Sequence, residues 1–164
     1  MIRIMPPQTP YSNDLGGRDP VVALRETPDR IRALAGQWSA AQFERTYAPG
    51  KWSGRQILIH LAQTELALGN RARMALSTPN YVAQSFDQDK WIARDKSLSG
   101  RDALDVFLAL GTMNRALFGS LTPAEREIAL SHPEYGALTV DWIIHQMAGH
   151  QIHHLKQLDD IAAR

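Results

Sequence analysis

Four of the six histidines in this 164-residue chain lie in one stretch, Thr139–Arg164, TVDWIIHQMAGHQIHHLKQLDDIAAR. Within it Val140, Ile143, Met147, His150, His154, Leu158 and Ile161 recur at steps of three and four. That is the spacing of a helix face turned toward a core. Two imidazoles therefore stand where aliphatic side chains are expected. Residues four apart on a helix are about one turn apart along its axis, so His150 and His154 can aim nitrogens at a single ion. A third candidate, His60, falls on another apolar stripe, Ile57, His60, Leu61, Thr64 and Leu68. Three imidazoles from two facing helices leave a coordination position for water or substrate, the arrangement of a catalytic zinc-type site rather than a structural one. The competing reading is a bundle whose histidines only pack as satisfied core residues, and it predicts protein without bound metal.

The remaining histidines compete for the same role. His153 lies three after His150 and can reach an ion there, but it falls off the Met147–His154–Ile161 stripe. It is assigned to the pocket beside the ligands, with Gln157, one turn further on, placed to orient it. His145 lies on a different side of the helix from His150, and His132 precedes Pro133 in a loop, so both read as structural. The segment His150-Gln151-Ile152-His153-His154 has the outer spacing of the H-E-x-x-H zinc-protease motif. Gln151 stands in the position of the glutamate base, and an amide cannot take a proton from water, which argues against a protease of that class.

The elements that must position these residues are helical. A first pattern lies within Pro20–Trp38, where Thr27-Pro28 predicts a fresh helix start, with a kink in one continuous helix as the alternative. Ala40–Trp52 is a connector. Ser53 and Gln56 form a capping box for a helix that runs to about Ser77, where Thr78-Pro79-Asn80 stops it. Tyr81–Leu98 is a long polar link that carries Tyr81, Phe86 and Trp91, three aromatics able to line a pocket or pack the core. Ser99 caps a helix over roughly Gly100–Leu121, and Thr122-Pro123 begins a short helical turn. Ile128–Leu138 reads as an irregular loop before the last helix. No convincing strand pattern is present, so the fold class is all-α, a bundle of four main helices. Residues 1–18 read as an irregular lead-in, followed by a single domain over 19–164.

Composition narrows the function classes. A net charge of +1 gives no argument for a nucleic-acid or acidic partner. The absence of cysteine excludes disulfides, thiolate ligands and a cysteine nucleophile, and fits a reducing compartment. No apolar run reaches the ~20 residues of a membrane helix, and the N-terminus has prolines and glycines where a signal peptide would have its apolar core. A cytoplasmic protein, with no nucleic acid and no membrane partner, is the expectation.

Two blocks, Lys51-Trp52-Ser53 with Gln56 and His60-Leu61-Ala62, and His150 with His153-His154 and Gln157, resemble the DinB/YfiT-like superfamily over about Asp19 to Ile161. The resemblance implies a four-helix bundle of up-down-down-up order with Tyr81–Leu98 as the crossover. It also implies a divalent metal, zinc or nickel, on three histidines, which match His60, His150 and His154. Members of that superfamily include thiol-dependent transferases and isomerases that use bacillithiol or mycothiol, and others described as metal-dependent hydrolases; many pair as homodimers. The implied function is a thiol-dependent S-transferase acting on a small electrophile, with a hydrolase or a non-catalytic metal-binding, stress-related module as alternatives. The bacillithiol transferases often carry an acidic residue three after the first histidine, where this chain has Gln63. Gln63 is accordingly placed in the pocket or behind the ligands, and the match to that subfamily is loosened.

Overall fold

The computed structural model describes residues 5–164, of which the lead-in places a short helix, α1 (Ser12–Leu15), against the body. The chain continues through α2 (Pro20–Ala35), α3 (Ala40–Phe43), α4 (Gly54–Ser77), α5 (Gln88–Arg94) and α6 (Gly100–Ser120). It ends in α7 (Pro123–Arg126), the strands β1 (Ala129–His132) and β2 (Gly136–Thr139), and α8 (Val140–Ala162). Among the described residues no helix is long and apolar enough to cross a membrane.

Local chemistry sets the starts of the long helices. Ser53 accepts from the Gln56 amide while Gln56 Oε1 accepts from the Ser53 amide, a reciprocal cap on α4. Ser99 accepts from the Asp102 amide at the start of α6, and Thr139 accepts from the Trp142 amide at the start of α8. Each such cap is worth about 1 kcal/mol. The Thr27-Pro28 break does not materialise: α2 is one helix with Pro28 inside it. Thr27, Pro28 and Ile31 are all buried on its packed face. Their burial outweighs the backbone hydrogen bond that the proline ring removes.

Contacts fix the topology. Ala23 and Leu24 of α2 pack with Val140, Ile143 and Ile144 of α8, while Ile31 and Ala35 pack with Leu155, Leu158 and Ile161, so α2 and α8 run parallel. Leu68 and Ala72 of α4 meet the first half of α8, and Ile57 and Leu58 meet its second half, so these two helices are antiparallel. The start of α4 lies near the start of α6, and Arg73 reaches Met113 and Asn114 further along both, so α4 and α6 are parallel. The order is up-down-down-up. A parallel α4–α6 pair requires a crossover, and the segment between Ser77 and Gly100 supplies it, carrying α5.

Ile128–Leu138 is not irregular. Ala129–His132 pairs antiparallel with Gly136–Thr139, and the turn closes through Gly136 at a φ of 72°, a backbone region that favours glycine. The crossover is tied to this hairpin where the Ala83 amide donates to the Ser131 carbonyl and the Ser131 amide to the Tyr81 carbonyl.

Between α4, α6 and α8 lies a buried polar cluster. Asn114 Nδ2 donates to Glu65 Oε2 at 2.6 Å, and Gln151 Nε2 donates to Glu65 Oε1. Arg73 Nη1 donates to Asn114 Oδ1 at 2.7 Å, close to Gly69, where a Cβ would collide with the Asn114 amide. Burial outweighs these donors and pushes the Glu65 carboxyl up to about 7.

Candidate metal centre

His60 sits one and a half turns inside α4, and His150 and His154 lie one turn apart on the facing side of α8. Because these helices are antiparallel neighbours, the three Nε2 atoms converge. His150 Nε2 is 2.9 Å from His60 Nε2 and 3.0 Å from His154 Nε2. All three residues are buried, and each offers one ligating nitrogen to a common point. The structure thus brings together the three residues selected by the stripes.

Their electrostatics suit a cation. Burial, then repulsion from His154, pushes the His60 imidazole down to about 3. Burial pushes His154 down to about 4, against a raising hydrogen bond from Gln157, and burial with three histidine neighbours holds His150 well below the usual imidazole range. At neutral pH all three are uncharged. Gln157 Oε1 lies 2.7 Å from His154 Nδ1, so this nitrogen carries the proton and His154 Nε2 presents its lone pair inward. Three facing nitrogens cannot all satisfy one another, since a neutral imidazole has a single N–H. A shared divalent ion resolves that conflict, and an all-imidazole set suits zinc, nickel, copper or iron. The residues present therefore fit a metal.

Gln157 serves two histidines, with its Nε2 3.2 Å from His153 Nε2 and its Oε1 2.7 Å from His154 Nδ1. His153 is half-buried beside the triad, where Asp14 of α1 approaches its Nδ1 at 3.4 Å. Gln63 turns away from the histidines, and its Nε2 donates to Asp95 Oδ2 at 2.6 Å, tying α4 to the end of α5. Gln151 also points away, toward Glu65. His145 is buried, with Nδ1 2.9 Å from the Asp141 carbonyl. His132, read as structural from its loop, is a buried strand residue in the wall of a cavity described next.

Two cavities reach the triad. One of about 300 Å³ lies between α4, α8 and the hairpin, with His60 and His150 in its wall together with Arg71, Phe86, Tyr135 and Trp142. The other, about 370 Å³, opens past Tyr47, Lys51 and Trp52 onto His60 and His154. Tyr11 and Gln88 line both. Tyr11 reaches the site because Gly149 lets the lead-in press onto α8, where any Cβ would collide with the Tyr11 carbonyl oxygen. Its ring lies 5.0 Å from His150 and 5.2 Å from His153 between centroids. Burial pushes its phenol pKa up, which keeps it protonated. The Trp52 ring packs 4.9 Å from His60. Of the aromatics in the crossover, Phe86 lines the first cavity and Trp91 packs against it, tilted, at 4.4 Å between centroids, whereas Tyr81 lies elsewhere.

Tyr11, Tyr47 and Arg71 had no signal in the sequence as site residues. Each reaches the histidines only through tertiary packing, from the lead-in, from a connector and from a helix position three turns beyond His60. Trp52 was in view as part of the Lys51-Trp52-Ser53 block, without a role.

The sequence profile of the DinB superfamily matches residues 23–158. A protein of Oceanobacillus iheyensis named as an inferred metal-dependent hydrolase is 28% identical over 142 residues, which cover 86% of this chain and 83% of the relative. Among solved structures, YfiT of Bacillus subtilis, described as an inferred metal-dependent hydrolase of unusual four-helix bundle topology, superposes with a TM-score of 0.81 at 18% identity over 99% of this chain and 92% of its own. A mycothiol-dependent maleylpyruvate isomerase superposes with a TM-score of 0.70 at 13% identity over 92% of this chain and 63% of its own.

Proposed function

The chain belongs to the DinB superfamily, and from that premise we propose that it is a divalent-metal enzyme that transfers a low-molecular-weight thiol to a small electrophile. The observation that carries this reading is that two separate cavities meet at one set of three neutral imidazoles. A hydrolase needs room for one organic substrate and a water; a thiol transferase needs room for two organic molecules whose reacting atoms meet. The mycothiol dependence of the isomerase with the same fold points the same way.

His60, His150 and His154 hold the metal, zinc or nickel, whose role when bound is to lower the pKa of a thiol brought beside it. Gln157 keeps the His154 proton on Nδ1 so that Nε2 remains a ligand. Tyr11, between the cavities, carries its proton on Oη and can donate it to the departing group. In the transfer the thiol sulfur forms a bond to the electrophilic carbon, the leaving group departs with the electron pair of the broken bond, and one proton is released overall. Trp52 and Phe86 exclude water from the two approaches. Homodimeric association belongs to the same reading.

The test uses protein purified without a histidine tag. Elemental analysis is expected to find about one zinc or nickel per chain, and bacillithiol or mycothiol is expected to react with 1-chloro-2,4-dinitrobenzene in a manner abolished by chelator and restored by metal. His60→Ala removes metal and turnover together. Stoichiometric metal in that variant overturns the ligand assignment. Metal-dependent ester hydrolysis without any thiol requirement replaces the transferase reading with the hydrolase that the curated relatives are named for.

A further inference from the structure

The first cavity carries a charge arrangement that metal ligation does not explain. Arg71, on α4, is half-buried there, with its guanidinium over the Phe86 ring at 5.7 Å from the centroid. Its protein partner is the Gln84 backbone carbonyl, to which Nη2 donates. Among the described residues no carboxylate lies within 4 Å of it, although Glu134 lines the same cavity. A guanidinium offers five N–H donors in a planar fork, and one carbonyl leaves most of them free.

His132 adds a second donor. The Glu134 amide donates to His132 Nδ1 at 3.1 Å, so the neutral imidazole must carry its proton on Nε2. That Nε2 is buried, with His132 only 5% exposed, and has no partner among the described residues. A buried N–H without an acceptor is costly, and its residue lines the cavity that holds Arg71. Around these donors the wall is aromatic, with Phe86, Tyr135 and Trp142.

We propose that this cavity binds a small planar carboxylate, its anionic end held by Arg71 and His132, its body against the aromatic wall, and its reactive carbon toward the histidine triad. Arg71 and His132 are thus the specificity-determining residues of the electrophile, and the cavity past Lys51 and Trp52 is left to the thiol. The assignment rests on the transferase reading above for its catalytic meaning, but the binding itself needs no metal. Glu134 opposes the anion and limits its affinity.

The probes are cinnamate and its neutral isostere cinnamamide, titrated calorimetrically into protein as purified and again after chelation. Cinnamate is expected to bind about tenfold more tightly than cinnamamide in both preparations, the scale of one charge-assisted bidentate contact. Arg71→Met abolishes the difference by weakening cinnamate alone, and His132→Ala reduces it by about threefold. Glu134→Gln strengthens cinnamate by about threefold, a gain that misfolding cannot produce. Equal affinity for the two probes in the unaltered protein overturns the proposal without recourse to any variant, as does an undiminished preference in a folded Arg71→Met protein. Cinnamate preference without metal-dependent turnover keeps this pocket and removes the proposed reaction. Turnover with no carboxylate preference does the reverse.

Discussion

Two buried polar clusters share helices α4 and α8, and neighbouring residues feed both: His150 faces His60, and Gln151 faces Glu65. In the Glu65 cluster donors meet acceptors, with Asn114 and Gln151 donating to the carboxylate and Arg73 donating to Asn114. In the histidine cluster three ring nitrogens face one another and cannot all find an N–H among themselves. The first is knit within the chain apart from Gln151 Oε1, which has no partner, and joins three helices. The second leaves ring nitrogens free for a ligand from outside. Polarity and burial are alike in the two; the balance of donors and lone pairs separates a joint from a binding site.

The largest expected effects come from breaking each cluster in turn. Asn114→Ala leaves the Glu65 carboxyl short of its donor and should lower unfolding free energy by about 2–4 kcal/mol, read by urea titration, with metal content unchanged. His150→Ala should do the opposite, losing bound metal by elemental analysis while the metal-free protein keeps most of its stability. Equal metal loss in both variants would erase the distinction. A smaller effect is expected at Gln157→Ala, which frees the His154 tautomer and should weaken metal by about 10–100-fold in a competition titration, with little change in metal-free stability.

How much of this the sequence disclosed follows from the range of the forces involved. Ser53, Gln56, Ser99 and Thr139 act on backbone three residues away, so the helix starts were legible. His60, His150 and His154 were legible because a polar residue on an apolar stripe breaks a periodic pattern. The hairpin was not, since strands of four residues with Leu130, His132 and Leu138 as their buried positions give too short an alternation. Gln151 follows His150 in sequence yet reaches Glu65, because one position along a helix turns a side chain by ~100°, and Gln63, three after His60, reaches Asp95. Arg71 and Tyr11 needed the bundle itself to be brought to the histidines.

The smallest effect sharpens the comparison through pH, in metal-free protein. His60 has a folded pKa of about 3 against an ordinary 6.5, so its contribution is present above pH 6.5 and is lost as pH falls toward 3. Glu65 has a folded pKa of about 7 against an ordinary 4.5, so its contribution is intact below pH 4.5 and is lost as pH rises through 7. The two windows overlap between pH 4.5 and 6.5, where the three depressed histidines outweigh the one raised carboxyl, so stability should fall along a lower limb as pH drops below 6.5. Glu65→Gln should steepen that limb, and His60→Ala should make it shallower. Urea midpoints measured from pH 4 to pH 9 check this, and a lower limb unchanged by His60→Ala would detach it from the triad.

The up-down-down-up order has a temporal consequence. His60 and His150 are 90 positions apart along the chain, and α6 and the crossover must be made between them. On the ribosome, α2, α4 and α6 emerge without the helix that fills the groove between α2 and α4. At synthesis rates of about 5–20 residues per second, His60 waits several seconds for its partners. Under the proposed function, metal capture is thereby deferred to the docking of α8, the same event that closes the bundle, so a chain able to hold a metal there is one that has finished folding.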